Sequence, residues 1–311
     1  MHSVLDAFDA FRDYIGSIAY EALALALLCH AMKIVARTRS WRNIVGSAYP
    51  DVEVRWRTIL GAYLAGVGVN AIVPARGGDV LKLFLVKRRV EGATYPTLAA
   101  TLLVETIFDV TMATVLLVWA LSAGVLPGRD VLPDLPAIDW LYLFQHPRVA
   151  AVAGVVALVA ALVLVVVARP KVEAFRDRVS QGFAVLRPPT RYLRLVVSWQ
   201  ALDWTFRLAT VYFFLRAFGL HASVENAFRV QVTQSLSTIL PLTPGGLGTE
   251  QALLVYVFRG DAPTAAVLSF SVGMRIVFIT VNVLLGFAAI ALMLRTLRWR
   301  RAVEAEAPAE P

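Results

Sequence analysis

The sequence predicts an all-α integral membrane protein: a polytopic helical bundle with two inverted repeats, each carrying a broken re-entrant hairpin. Three observations predict it. Hydrophobic residues make up 58% of the 311 and charged residues only 17%, with a mean hydropathy of +0.66, against roughly 45–50% and about 25% in soluble domains. The stretch from Pro241 to Glu250 interrupts an apolar region with Pro241, Pro244, Gly245, Gly246 and Gly248 before ending on an acid. A shorter copy, Pro74-Ala75-Arg76-Gly77-Gly78-Asp79, lies about 170 residues earlier. Backbone groups freed by such breaks cost several kcal/mol each in hydrocarbon unless protein or a wet cavity satisfies them. A break followed by a carboxylate therefore reads as the wall of a cavity.

In chain order, residues 1–14 form an amphipathic lead-in with Leu5, Phe8, Phe11 and Tyr14 at the interface. The span from Ile15 to about Ala36 carries Glu21 and ends at Lys33. Arg37, Arg39, Arg42, Arg55 and Arg57 follow, against Asp51 and Glu53, and read as a cytoplasmic loop. Residues 58–73 are apolar but shorter than the roughly 20 residues a crossing needs. Both neighbouring segments are basic, so the stretch is expected to dip in and return on one side, with the 74–79 break near its tip.

Residues 96–123 are expected to span outward, carrying Glu105 and Asp109, and the loop 124–147 to lie outside. Residues 149–168 are uncharged and form the clearest span. The segment 169–194 is strongly basic and is expected on the cytoplasmic face, with Val172, Phe175, Val179, Phe183 and Leu186 along an interfacial helix. Residues 195–218 return outward, with Asp203 and Arg207 four apart on one helical face, where pairing lowers the cost of burial. Residues 228–243 and 250–258 flank the principal break as a second hairpin. Residues 262–294 form the last span, read as a lead-in helix plus a crossing that bears Arg275, and the tail 295–311 is basic up to Arg301, with disorder expected from Glu304 onward. The expected domain is single: a first repeat over 1–123, a connecting span at 149–168, the basic segment 169–194, a second repeat over 195–294, and five full crossings.

The same features exclude other classes. Cys29 is the sole cysteine, so neither an intrachain disulfide nor a cysteine-built metal site can form. The four histidines show no paired spacing, no GxxxxGK[ST] loop is present, and no basic region precedes a leader-like apolar stretch. No cofactor, metal or nucleic-acid partner is expected. The formal charge of +8 suits contact with anionic lipid.

The halves can be overlaid. Pro74 and Gly78 precede Pro244 and Gly248 by about 170 residues, and Asp79 corresponds to Glu250. Each break is followed by an apolar stretch, a Pro-Thr pair (Pro96-Thr97, Pro263-Thr264) and a helix with buried charge. Opposed repeats with broken helices are the architecture of many alternating-access transporters.

The run NAIVPARGGDVLKLFLVKRR, then Glu105 and Asp109, then TPGGLGTEQALLVYVF and Met274-Arg275 resembles the lysylphosphatidylglycerol synthase/flippase transmembrane family over most of the chain. The resemblance implies a domain that moves polar-headgroup lipid between leaflets. In fused members a separate soluble domain makes the lipid; the chain stops soon after Arg301, so aminoacyl transfer is not expected here. Stand-alone relatives are expected to serve various lipids, so the substrate stays open.

The candidate substrate-binding residues are Asn70, Arg76, Gly78, Asp79, Glu105, Asp109, Gly245, Gly246, Gly248, Glu250 and Arg275. Arg76 fits a lipid phosphate in two-point fashion, or snorkels to the interface. Asp79 and Glu250 suit a cationic headgroup or a transferred proton, or else cap helices after a glycine turn. Glu105, Asp109 and Arg275 are expected to form one charge cluster, at the cavity or as a structural pair. The three glycines at 245, 246 and 248 expose N–H groups to an anion. Asn70 donates to a headgroup or satisfies its own broken helix. The expected function is a lipid flippase of the cell membrane, not an enzyme, handling a lipid with an anionic headgroup. The alternatives are a membrane-embedded transferase acting on a lipid-linked substrate and a small-solute transporter.

Overall fold

Every described element is a helix. The computed structural model describes residues 18–73, 77–122, 169–239 and 248–306. The lead-in 1–14, the outer loop and the uncharged span at 149–168 lie outside those residues, as do Arg76, Gly245 and Gly246.

Helix α1 runs from Tyr20 to Ala48. It continues straight through Arg37, Arg39 and Arg42, which corrects the expectation of a cytoplasmic loop beginning at Arg37. No proline interrupts residues 20–48, and Arg37 finds carboxylates on neighbouring helices, so nothing forces the helix to stop. It ends where Tyr49 precedes Pro50, a residue that disfavours helix in its predecessor. Helix α2, Trp56–Ile72, stops two residues before Pro74 for the same reason. Helix α3, Gly77–Lys87, packs back against α2.

Helix α4, Tyr95–Ser122, opens with Pro96 in its first turn, and the Thr97 amide donates to Thr94 Oγ1 at 3.4 Å, a serine/threonine-type N-cap. Helix α5, Arg169–Gly182, packs along α4. A 3₁₀ turn (Ala184–Leu186), the short α6 (Pro189–Tyr192) and a π-helical stretch (Leu193–Val197) lead into α7, Ser198–Ala217. Gly219 then takes φ +69°, and the Leu220 amide donates to Leu215 O at 2.9 Å, which reverses the chain. Helix α8, Val224–Ile239, is capped by Ser223 Oγ, which accepts from the Asn226 amide at 3.0 Å. Helix α9 is Thr249–Val257. Helix α10, Thr264–Glu306, is one uninterrupted helix of 43 residues. This corrects the expectation of a separate lead-in at 262, because no proline follows Pro263 within the run; the helix also includes Glu304 to Glu306, and 307–311 lie outside the described residues.

The element order repeats: long α1, short α2, break, short α3, long α4; then long α7, short α8, break, short α9, long α10. Packing couples the sets. Helix α7 lies along α1, α2 along α10, and α8 against α4. The two largest apolar cores among the described residues follow from this packing. One joins α1, α7, α8, α9 and α10 through Ala26, Phe214, Val230, Leu254 and Phe270. The other joins α1, α2, α3, α4 and α10 through Trp41, Ile59, Ala65, Val86 and Leu98.

Two glycine crossings set how closely α2 approaches its neighbours. A Cβ on Gly78 would lie 1.9 Å from Gly66 O, and one on Gly68 2.6 Å from Gly286 Cα. Backbone meets backbone there, which only glycine permits, and small residues at crossings are the usual solution for helices packed in lipid.

Helices α4 and α10 are long and apolar enough to cross a membrane over Tyr95–Ala120 and Thr264–Met293. Their outer faces expose large side chains, including Val118 (60%), Leu284 (65%), Phe287 (61%) and Leu292 (66%). A face this apolar is unsuited to water and suited to acyl chains.

Candidate functional site

The site is built where α1, α4, α7, α8 and α10 meet. Its first part is an ion network. Arg37 on α1 places Nε 2.6 Å from Glu105 Oε1 and Nη1 2.9 Å from Asp109 Oδ1, both on α4, and Nη1 3.3 Å from Asp203 Oδ2 on α7. Its Nη2 bonds the other Asp109 oxygen. Arg207, one turn beyond Asp203, lies 3.8 Å from the same Oδ2. The Trp204 indole donates to Asp109 Oδ1 at 3.0 Å, and Gln200 Nε2 donates to Glu105 O at 2.9 Å. One guanidinium thus satisfies three carboxylates from two helices. Its planar fork suits that task, and a lysine could not reproduce it.

Beside this network lies a small cavity of about 140 Å³, lined by Lys33, Arg207, Thr210, Gln231, Gln234 and Phe278. Two cations face it. Lys33 makes no ion pair among the described residues and sits 5.9 Å from the Phe278 ring centroid. Arg207 has one long contact to Asp203, stacks over Trp204 at 4.8 Å, and leaves Nε without a hydrogen-bond partner. Gln231 and Gln234, three apart on one face of α8, add amides that can donate or accept. The combined lining suits an anion that accepts several hydrogen bonds.

Gln234, on the cavity wall, reaches a second ion pair. Gln234 Nε2 donates to Glu250 Oε1 at 3.1 Å, and Glu250 Oε2 lies 3.5 Å from Arg275 Nη1. Glu250 stands in the first turn of α9, so its charge also favours the helix N-terminus. Gly248 precedes it with φ +88°. A third cluster lies on the α2–α3 hairpin: Asn70 Oδ1 accepts from the Gly78 amide at 2.8 Å, Asn70 Nδ2 donates to Asp79 Oδ1 at 3.3 Å, and Lys82 Nζ is 3.6 Å from the same oxygen.

The structure therefore distributes the candidate residues over three clusters. Glu105 and Asp109 come together, but Arg275 joins Glu250 rather than them; Arg37 on the extended α1 already occupies the carboxylates of α4. Asn70, Gly78 and Asp79 meet across the first break. Lys33, Arg37, Thr210, Gln231 and Gln234 were not anticipated. The spacing of Lys33 and Arg37, four apart in an apolar helix, and of Gln231 and Gln234, three apart, is the signal that marks one polar face in each case.

A family described as "Lysylphosphatidylglycerol synthase TM region" matches residues 4–286. The UPF0104 membrane protein MJ1078 of Methanocaldococcus jannaschii is 25% identical over 193 residues, which cover 61% of this chain and 79% of that protein. The glycosyltransferase AglD of Haloferax volcanii is 27% identical over 278 residues, covering 72% of this chain and 44% of that longer protein. No solved structure matches.

Proposed function

We propose, for a chain that belongs to the lysylphosphatidylglycerol synthase transmembrane-region family and is a membrane protein, that it carries a lipid with an anionic polar headgroup between the leaflets of the cell membrane. The observation that carries this reading is a cavity faced by two cations, Lys33 with no direct ion pair among the described residues and Arg207 with one long contact to Asp203. Intramembrane charges are expensive unless paired or functional. Arg37 is accounted for by three carboxylates; Lys33 is accounted for by a ligand that visits.

In this reading the headgroup phosphate rests between Lys33 and Arg207 while Gln231 and Gln234 hydrogen-bond its remaining oxygens. The acyl chains trail in lipid. The hairpins α2–α3 and α8–α9 act as the re-entrant elements of two inverted repeats, each seated on the long helix of the other half. Rocking one half against the other opens the cavity to alternate leaflets. The Asp79–Lys82 and Glu250–Arg275 pairs, whose acids stand in the first turn after each break, separate and re-form as access changes. Arg76, Gly245 and Gly246, which fall in the two Pro/Gly-rich breaks of the sequence, are given contact with the headgroup in this reading. Energy comes from downhill movement or from a proton carried by Asp79 or Glu250, and the protein acts as a transporter without bond-making chemistry.

The test is leaflet exchange of labelled phosphatidylglycerol in vesicles containing the purified protein, compared with Lys33→Met. Acceleration by the wild type and its loss in the variant support the reading. A second reading is favoured by one relative's name, glycosyltransferase AglD: a membrane-embedded transferase that holds a lipid-linked substrate in the same cavity. Release of a glycosylated product from a lipid-sugar donor, with no exchange, would favour it.

A further inference from the structure

Two hollows meet on the outer surface at the start of α2, away from the cavity described above, and they share Arg57. The first is polar, about 550 Å³, and is bordered by Arg39, Arg42, Arg55 and Arg57, with Glu53 as its only acid. The second is an apolar groove of about 650 Å³ between α2 and α10, walled by Leu60, Leu64, Leu285, Ala288 and Leu292, with Arg57 and Arg89 at its polar end.

The arginines are held in place by contacts that leave much of their charge unspent. Arg39 stacks on Trp56 at 4.2 Å, and Arg42 Nε donates to Val54 O at 2.9 Å. These are contacts to a ring and to a neutral carbonyl. Arg55 lies 3.5 Å from Glu53, both of them exposed. The first turn of α2 carries no acid, and its N-cap, Arg55, supplies no side-chain bond, so the positive end of the helix points at the same place. Four arginines against one glutamate exceed what a single phosphate requires. An apolar trough leading directly from them excludes a purely soluble anion as the best fit.

We infer that the paired hollows form a lateral site for a membrane lipid whose headgroup carries two phosphates, with its chains lying in the α2–α10 groove. The headgroup occupies the arginine hollow and the first part of the chain follows Leu60 and Leu64 along α10. Two sources share that chemistry: a two-phosphate glycerophospholipid such as cardiolipin, and a polyprenyl diphosphate. The site depends on the membrane setting and not on leaflet exchange.

The test uses the full chain in detergent, with binding read by native mass spectrometry and by thermal shift. The probes are cardiolipin, undecaprenyl diphosphate, phosphatidylglycerol and phosphatidylcholine. The wild type is expected to prefer one or both two-phosphate lipids, and whichever it prefers identifies the source. R55Q/R57Q is expected to weaken that binding about fivefold for each arginine removed. Ala288→Trp, which fills the groove from an exposed position, is expected to weaken it with every arginine present. Lys33→Met is expected to keep the preference for the two-phosphate lipids over phosphatidylglycerol, which separates this site from the central cavity. Equal affinity for phosphatidylglycerol and the two-phosphate lipids overturns the proposal, as does a preference that survives both R55Q/R57Q and Ala288→Trp.

Discussion

Arg37 and Glu105 meet at 2.6 Å across the α1–α4 contact, with side-chain exposures of 13% and 5%. The pair joins α1, which lines the candidate cavity, to α4, and it leaves Arg37 without capacity for a ligand. Removing one partner of such a network strands the others. Arg37→Met is therefore expected to destabilise by about 3–5 kcal/mol, because Glu105, Asp109 and Asp203 lose their shared cation. Arg37→Lys should recover only part of this, since an ammonium cannot meet three carboxylates in one plane. Thermal unfolding in detergent and the yield of monodisperse protein measure both.

The close approach of α2 and α3 makes a second prediction. Gly78→Ala pushes a Cβ against Gly66 O and is expected to cost about 2 kcal/mol or more, since backbone on both sides must move. Gly46 supplies the contrast. It lies inside α1 with nothing within 4 Å of an added Cβ. Gly46→Ala should stabilise by about 0.5–1 kcal/mol. Opposite shifts in unfolding temperature for the two variants are the expected result.

Glu250 and Arg275 couple α9 to α10 beside the cavity. A double-mutant cycle with Glu250→Gln and Arg275→Gln is expected to give a coupling of about 0.5–3 kcal/mol in unfolding free energy. Additive effects, with no coupling, would mean that the contact contributes nothing to stability.

The sequence disclosed the interruptions better than the charges. Helix α2 ends at Ile72 and α3 starts at Gly77, while α8 ends at Ile239 and α9 starts at Thr249. Proline and glycine impose those ends locally, so they can be read without knowing what packs nearby. Membership of the family was legible from the same runs. The role of Arg37 was not. Counting basic residues assigns it to a loop, because that rule cannot distinguish a solvated arginine from one held by carboxylates 68, 72 and 166 residues away in the chain. Arg275 was misassigned for the related reason that sequence gives its helix but not the helix it faces. Lys33 stood at the expected end of a span and so looked peripheral, whereas the continuation of α1 to Ala48 makes it internal.

The variant that separates function from fold is Lys33→Met. The methionine keeps the length of the apolar stem and removes only a charge that makes no ion pair among the described residues. Its unfolding temperature is expected to stay close to that of the wild type while exchange of the anionic lipid falls. Arg207→Gln should lower exchange as well, with some loss of stability because Asp203 gives up one of its two cations.

The most direct measurement of the central claim is the rate at which labelled phosphatidylglycerol changes leaflet in vesicles reconstituted with the wild type, with Lys33→Met and with no protein. Fast exchange is expected for the wild type and a rate near the protein-free level for a folded Lys33→Met. Exchange that equals the protein-free rate for the wild type, or that persists undiminished in Lys33→Met, contradicts it.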